Sequence, residues 1–206
     1  MTETILLSTI AVAFFHSLAP DHWMPLAALA KSQTWSMPRL IGITILTGLG
    51  HVGSSIILGA CGIILGITVT NITDIESSRG ALSGLLLIGF GIVYGIWGLK
   101  QIRQHSHKKF SAHKTFTVWT LVLIFVLGPC EALIPIMFLG IQYGWKEVWL
   151  LSFLFSVITI SMMLVQTIVA YKGLQFLLSE KFEHWAHATC GFVIACTGGL
   201  IMVLGI

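Results

Sequence analysis

Leu18-Ala-Pro-Asp-His-Trp-Met-Pro-Leu26 and Leu127-Gly-Pro-Cys-Glu-Ala-Leu-Ile-Pro-Ile136 are two versions of one pattern. Each reads leucine, small residue, proline, two polar residues and then a second proline, with one extra residue in the later copy. Both lie inside long apolar stretches. A proline in a helix removes the hydrogen bond to the carbonyl four residues earlier and clashes with it. On a continuous-helix reading, Pro20 frees the carbonyl of His16, Pro25 that of Asp21, Pro129 that of Phe125 and Pro135 that of Glu131. Bare carbonyls at membrane depth are tolerated only where they line a cavity or meet protein or an ion. The two patterns therefore predict helices broken at their own ionisable residues.

The rest of the chain supplies the membrane. Of its 206 residues 56% are hydrophobic and 9% charged, against roughly 25% charged in soluble domains. Such a chain cannot cover a water-facing surface. Apolar runs between polar breaks predict an all-α membrane protein of six transmembrane helices. They cover roughly 4–30, 39–69, 80–100, 116–141, 147–171 and 184–206. The first and fourth are the broken ones. Each broken helix heads a set of three, so the expectation is one transmembrane domain, 1–206, built from two inverted three-helix repeats. These run from about 1 to 103 and from about 114 to 206. Met1-Thr2-Glu3 carries no basic residue, so the first apolar run is expected to be retained rather than cleaved. Gly80/Gly84 and Gly91/Gly95 stand at small-xxx-small spacing, which predicts close helix packing on the third span.

Lys and Arg set the orientation. Lys31, Arg39, Lys100, Arg103, Lys108, Lys109, Lys114, Lys172 and Lys181 follow the odd-numbered spans, and only Arg79 and Lys146 fall on the other side. Positive loops stay in the cytoplasm, so both termini are expected outside, in a prokaryotic cytoplasmic membrane. The net charge of +3 resides in these short loops, which gives no basis for nucleic-acid binding. His105, His107 and His113 share the longest of these loops, where short histidine tracts can bind metal transiently. The surrounding basic residues favour a topogenic role equally well.

The candidate site is His16, Asp21, His22, His51, Cys130 and Glu131. On a regular helix Asp21 and His22 would lie about 140° and 240° round from His16, so unwinding at Pro20 is needed to gather them. Buried acids cost about 2.5–3.5 kcal/mol in lipid on insertion scales, which marks Asp21 and Glu131 as functional. The histidines could instead be buried rings satisfied by carbonyls, and Cys130 a small buried hydrophobe. Their clustering with acids favours metal. Imidazoles, carboxylates and a thiol suit a borderline transition metal, whereas Mg or Ca would want oxygen throughout. Cys61, Cys190 and Cys196 read as packing residues, and Thr159, Ser161 and Gln166 as a polar stripe that ties helices together.

At these residues the chain resembles the nickel/cobalt permease superfamily, including its UreH-type and efflux branches. The family's His-x4-Asp-His signature is matched by His16, Asp21 and His22. Its Gly-His motif on the next helix is matched by Gly50-His51, and Gly128-Pro-Cys-Glu131 occupies the place of a later small-residue motif. The resemblance implies a transported divalent cation, Ni or Co, with Zn or Fe as further candidates. It implies no resident cofactor and no catalytic activity. The expected partners are the metal ion and the lipid bilayer, with a metallochaperone or a second copy of the chain also in view. The chain is shorter than the eight-helix nickel permeases, and its Pro-Cys-Glu motif departs from theirs.

Two other classes compete. Thiol-electron carriers of cytochrome c biogenesis are also six-helix inverted repeats, with a cysteine in each half. Here Asp21 stands where the first cysteine would be, so a dithiol cycle lacks its partner. A metal-dependent intramembrane enzyme, or an acyltransferase with a His-x4-Asp pair, would use similar residues. Neither a paired zinc signature nor a surface catalytic domain accompanies them.

Overall fold

The computed structural model describes the backbone of residues 3–104, 111–177 and 185–204. Among these it contains eight α-helices and no strand: α1 Glu3–Ser17, α2 Met24–Ser32, α3 Met37–Ile64, α4 Val69–Gln104, α5 Ser111–Leu127, α6 Leu133–Ile141, α7 Trp145–Leu177 and α8 Ala186–Leu204. Residues 105–110 and the side chain of His113 lie outside the description, and with them the histidine loop. Four stretches are long and apolar enough to cross a membrane: Met37–Ile64, Val69–Ile102, Trp145–Gln175 and Ala186–Leu204. The pair Glu3–Ser17 and Pro20–Ser32, bent by 71°, forms a fifth if taken as one span. The chain is an all-α membrane protein. Its surface agrees: Leu49, Ile57, Val93, Phe153, Val169 and Phe192 are all more than half exposed, as lipid-facing side chains should be.

Both patterns interrupt a helix and are followed by a short one. α1 stops at Ser17, a 3-10 turn covers Pro20–His22, and the nine-residue α2 follows. α5 stops at Leu127, and after residues 128–132 comes the equally short α6. The second prolines depart from expectation. Pro25 and Pro135 sit in the first turns of α2 and α6, where a backbone N–H has no intrahelical partner to lose. They start helices rather than break them. The carbonyl of Glu131 is accordingly not bare, since it accepts from the Ile134 N–H at 3.3 Å.

The third long helix also differs from the sequence boundaries. α4 begins at Val69, eleven residues before the expected span, because the chain reverses at Leu65–Thr68 with Gly66 at φ 68°. Asp74, Glu76 and Arg79 therefore stand on a helix and not in a loop.

The short helices form the centre. Pro25, Leu26, Ala27, Ala28, Leu29, Ala30 and Ser32 of α2 are buried, as are Leu133, Ile134, Ile136, Met137 and Gly140 of α6. α2 packs on α7 and α8, and α6 on α3 and α7. The most extensive helix pair is α4 with α8. Gly84, Gly91, Gly95 and Gly98 face Gly198, Gly191 and Ala188 there, backbone against backbone. A Cβ on Gly198 would lie 2.6 Å from the Gly84 carbonyl oxygen. Gly80, expected to serve the same seam, instead faces the ring of Pro129.

Cysteines divide by face. Cys190 packs in the core, while Cys61 and Cys196 are exposed on the outer surface, so the packing role expected of those two is not found. Two members of the polar stripe on α7 do not supply the expected tie. The hydroxyl of Thr159 and both amide atoms of Gln166 are buried without a hydrogen-bond partner among the described residues.

Candidate metal site

The break after α1 performs the gathering that a regular helix cannot. His22 Nε2 comes to 3.2 Å from His16 Nε2. Cys130 Sγ, from the second break, lies 3.3 Å from the same His16 nitrogen. His51 arrives from the middle of α3, its ring centroid 5.0 Å from that of His22 and 6.2 Å from that of His16. One ligand atom each of His16, His51 and Cys130 fit within 4.8 Å of one another. In a tetrahedron about a metal with roughly 2.0–2.3 Å bonds, neighbouring ligands stand about 3.3–3.8 Å apart. The contacts at 3.2 and 3.3 Å are close to such edges.

Hydrogen bonds fix which nitrogens are free. The carboxylate of Asp21 can only accept, so the 3.0 Å contact places the proton of His22 on Nδ1. A carbonyl likewise only accepts, so His51 donates from Nδ1 to Phe125 O at 3.3 Å. Both neutral rings then present Nε2 as a lone pair. His51 Nε2 is buried and has no hydrogen-bond partner among the described residues. His22 Nε2 faces His16 Nε2 at 3.2 Å, so in the neutral pair His16 donates from Nε2 to His22, and a bound cation would take that proton's place. Supporting carboxylates and carbonyls behind imidazoles are the usual way proteins orient metal-binding histidines.

The residues divide accordingly. His16, His22, His51 and Cys130 form the cluster, and Asp21 supports it through His22. Glu131 stands apart: it is half-buried, with Oε1 on the Gly80 side of the second break. Phe155 packs beside the His16 ring at 5.9 Å. A cavity of about 20 Å³ beside the cluster is lined by Asp21, His22, His51, Ser83 and Pro129 among others. That is room for about one water-sized occupant.

A second polar group lies behind Cys130 that the sequence reading passed over. Glu76, fully buried, accepts from Arg79 Nη1 at 2.6 Å and from Ser55 Oγ at 3.2 Å. Its other neighbour is the backbone N–H of Cys130, at 3.2 Å. The signal was present as an acid and an arginine three residues apart, the spacing of neighbours on one helix face. From the sequence alone Arg79 reads only as a loop charge.

No family model, curated protein or solved structure matches this chain.

Proposed function

We propose that the chain is a permease for a divalent transition-metal cation, nickel or cobalt first, with zinc or iron(II) as further cargo. The observation that carries this reading is the convergence of three imidazoles and a thiol on a helix break inside a membrane protein. An isolated polar group there is costly, and a matched set with free lone pairs is a site. Mixed nitrogen and sulfur donors favour borderline metals over Mg or Ca. The resemblance to the nickel/cobalt permease superfamily, drawn from the same residues, points to the same cargo.

The proposed architecture is six spans in two inverted repeats, with α1–α2 and α5–α6 each counted as one broken span. Helix packing supports it. α1 packs on α7 as α5 packs on α3, and α3 meets α7 as α4 meets α8. Exchanging the two halves reproduces that pattern. In the proposed mechanism His16, His22, His51 and Cys130 hold the dehydrated cation, and Asp21 orients His22. Glu131 balances charge or relays protons, and one repeat rocks against the other to alternate access. With Arg79 held by Glu76 and the second break, nine of the ten other basic residues fall on one side in this scheme, which supports both termini outside. The thiol-carrier alternative is disfavoured, because all four cysteines are free and the group facing Cys130 Sγ is an imidazole.

The deciding experiment is metal analysis of detergent-purified protein, with competition among Ni, Co, Zn, Mn and Fe(II), followed by flux into proteoliposomes. Stoichiometric binding with metal-dependent flux is the expected result. Binding without flux would make the site a sensor or an enzyme centre, and no binding would remove the metal reading altogether.

A further inference from the structure

We infer that Glu76 and Arg79 are positioning residues for the second broken helix, setting the place of Cys130 against His16. The inference deepens the metal-site reading and rests on it for the purpose of the geometry.

The second break leaves residues 129–132 without regular helical hydrogen bonds, at a depth where each backbone group needs a protein partner. α4 supplies partners on both sides of it. Upstream, Arg79 Nη2 donates to the carbonyl of Val126 at 3.0 Å and to Ser54 Oγ at 2.8 Å. Downstream, the Cys130 N–H is shared between Glu76 Oε2 at 3.2 Å and Ser55 Oγ at 3.1 Å. Between the two, Gly80 lies against the Pro129 ring, where an added Cβ would come within 3.0 Å of Pro129 Cγ. The ion pair joins these grips, since Arg79 Nη1 holds Glu76 Oε1 at 2.6 Å.

An apolar pair of the same volume would often stabilise a buried position equally well. It could not accept from an N–H and donate to a carbonyl four residues apart. Charge-assisted hydrogen bonds add fixed direction to strength. What they fix here is the Cys130 backbone, and with it the 3.3 Å contact of Sγ to His16. Neither Glu76 nor Arg79 needs to touch the cation.

The test uses full-length protein with Cys61, Cys190 and Cys196 changed to Ser, leaving Cys130 as the sole thiol. Two readouts are taken: the rate of Cys130 alkylation by N-ethylmaleimide without metal, and the thiolate-to-cobalt charge-transfer absorption with Co(II). Glu76→Gln leaves the Arg79 charge unpaired and can misfold, so the neutral double variant Glu76→Gln/Arg79→Gln is measured beside it. Ser55→Ala, which removes one acceptor and spares the ion pair, is the mild third variant. Alkylation is expected to accelerate by about tenfold or more in the double variant, the factor for one lost charge-assisted hydrogen bond, and by less in Ser55→Ala. The sulfur band is expected to weaken as in Cys130→Ser, while cobalt stays bound through the histidines. Wild-type alkylation rates and an intact band in the folded double variant would overturn the inference. Should the parent protein bind no cobalt, the metal reading fails, and the alkylation arm alone still decides whether the pair positions Cys130.

Discussion

His51 on α3 donates from Nδ1 to the carbonyl of Phe125 on α5 at 3.3 Å. That carbonyl lies four residues before Pro129, so the proline that interrupts one helix provides the acceptor that orients an imidazole on another. The orientation leaves His51 Nε2 free and buried. A ligand is thereby held ready without any side chain devoted to holding it.

The cluster predicts a ranking of substitutions. His22→Ala and His51→Ala remove donor atoms and should lower Co(II) or Ni(II) affinity by more than the roughly 10–100-fold that a supporting residue is worth. Asp21→Asn keeps the shape and weakens the support, so its loss should fall within that range. Calorimetric titration of purified variants checks the order. Equal affinities for His22→Ala and the parent would remove His22 from the site.

Protons should compete with the metal. Imidazole binds only when neutral and carboxylate only when ionised, so binding releases protons. Free imidazole side chains titrate near about 6.5. Because the thiol must also lose its proton, affinity should rise with pH and fall as the solution is acidified. Calorimetry in buffers of different ionisation enthalpy measures the released protons directly. Binding without proton release from about pH 5 to 8 would remove the Cys130 thiolate from the ligand set.

The glycine seam between α4 and α8 gives a stability prediction. A Cβ on Gly191 would press into the α4 backbone at Gly91 and Gly95, with nothing flexible to give way. Gly191→Ala should cost about 1–3 kcal/mol, as other overpacked interiors do. Gly89 has open space around its Cβ position, so Gly89→Ala should be neutral or slightly stabilising. Thermal unfolding in detergent separates the two. Equal midpoints would mean that the seam bears little load.

Orientation can be read with an impermeant thiol reagent. In a cysteine-free background, a single cysteine placed within 105–113 should resist labelling in intact cells and react after lysis. One placed near residue 143 should react in both. The opposite outcome would invert the topology.

The sequence revealed what proline and charge reveal. Two prolines amid apolar residues announced the breaks at Ala19 and Gly128, because proline acts through its own backbone. His16, His22 and His51 were legible because imidazoles are rare in lipid. The Glu76–Arg79 pair was hidden for the opposite reason: polar residues before a span look like a loop until their partners, Ser54, Ser55 and the backbone at Val126 and Cys130, arrive from elsewhere in the chain. Pro25 and Pro135 misled because the same residue ends one helix and opens the next. Cysteine is at home facing either lipid or core, so the exposure of Cys61 and Cys196 left no mark in the sequence.

The placement of α2 has a consequence for biogenesis. Nine residues cover only about 14 Å, too short to partition into a bilayer as an independent span. Its neighbours are α7 and α8, whose residues are synthesised more than a hundred positions later. While the ribosome is still translating the middle of the chain, α2 lacks the α7 and α8 surfaces that bury most of it. Maturation of the N-terminal segment must therefore wait for the C-terminal helices. A nascent chain truncated before Trp145 should leave Lys31 and its surroundings open to protease, whereas the full-length chain protects them.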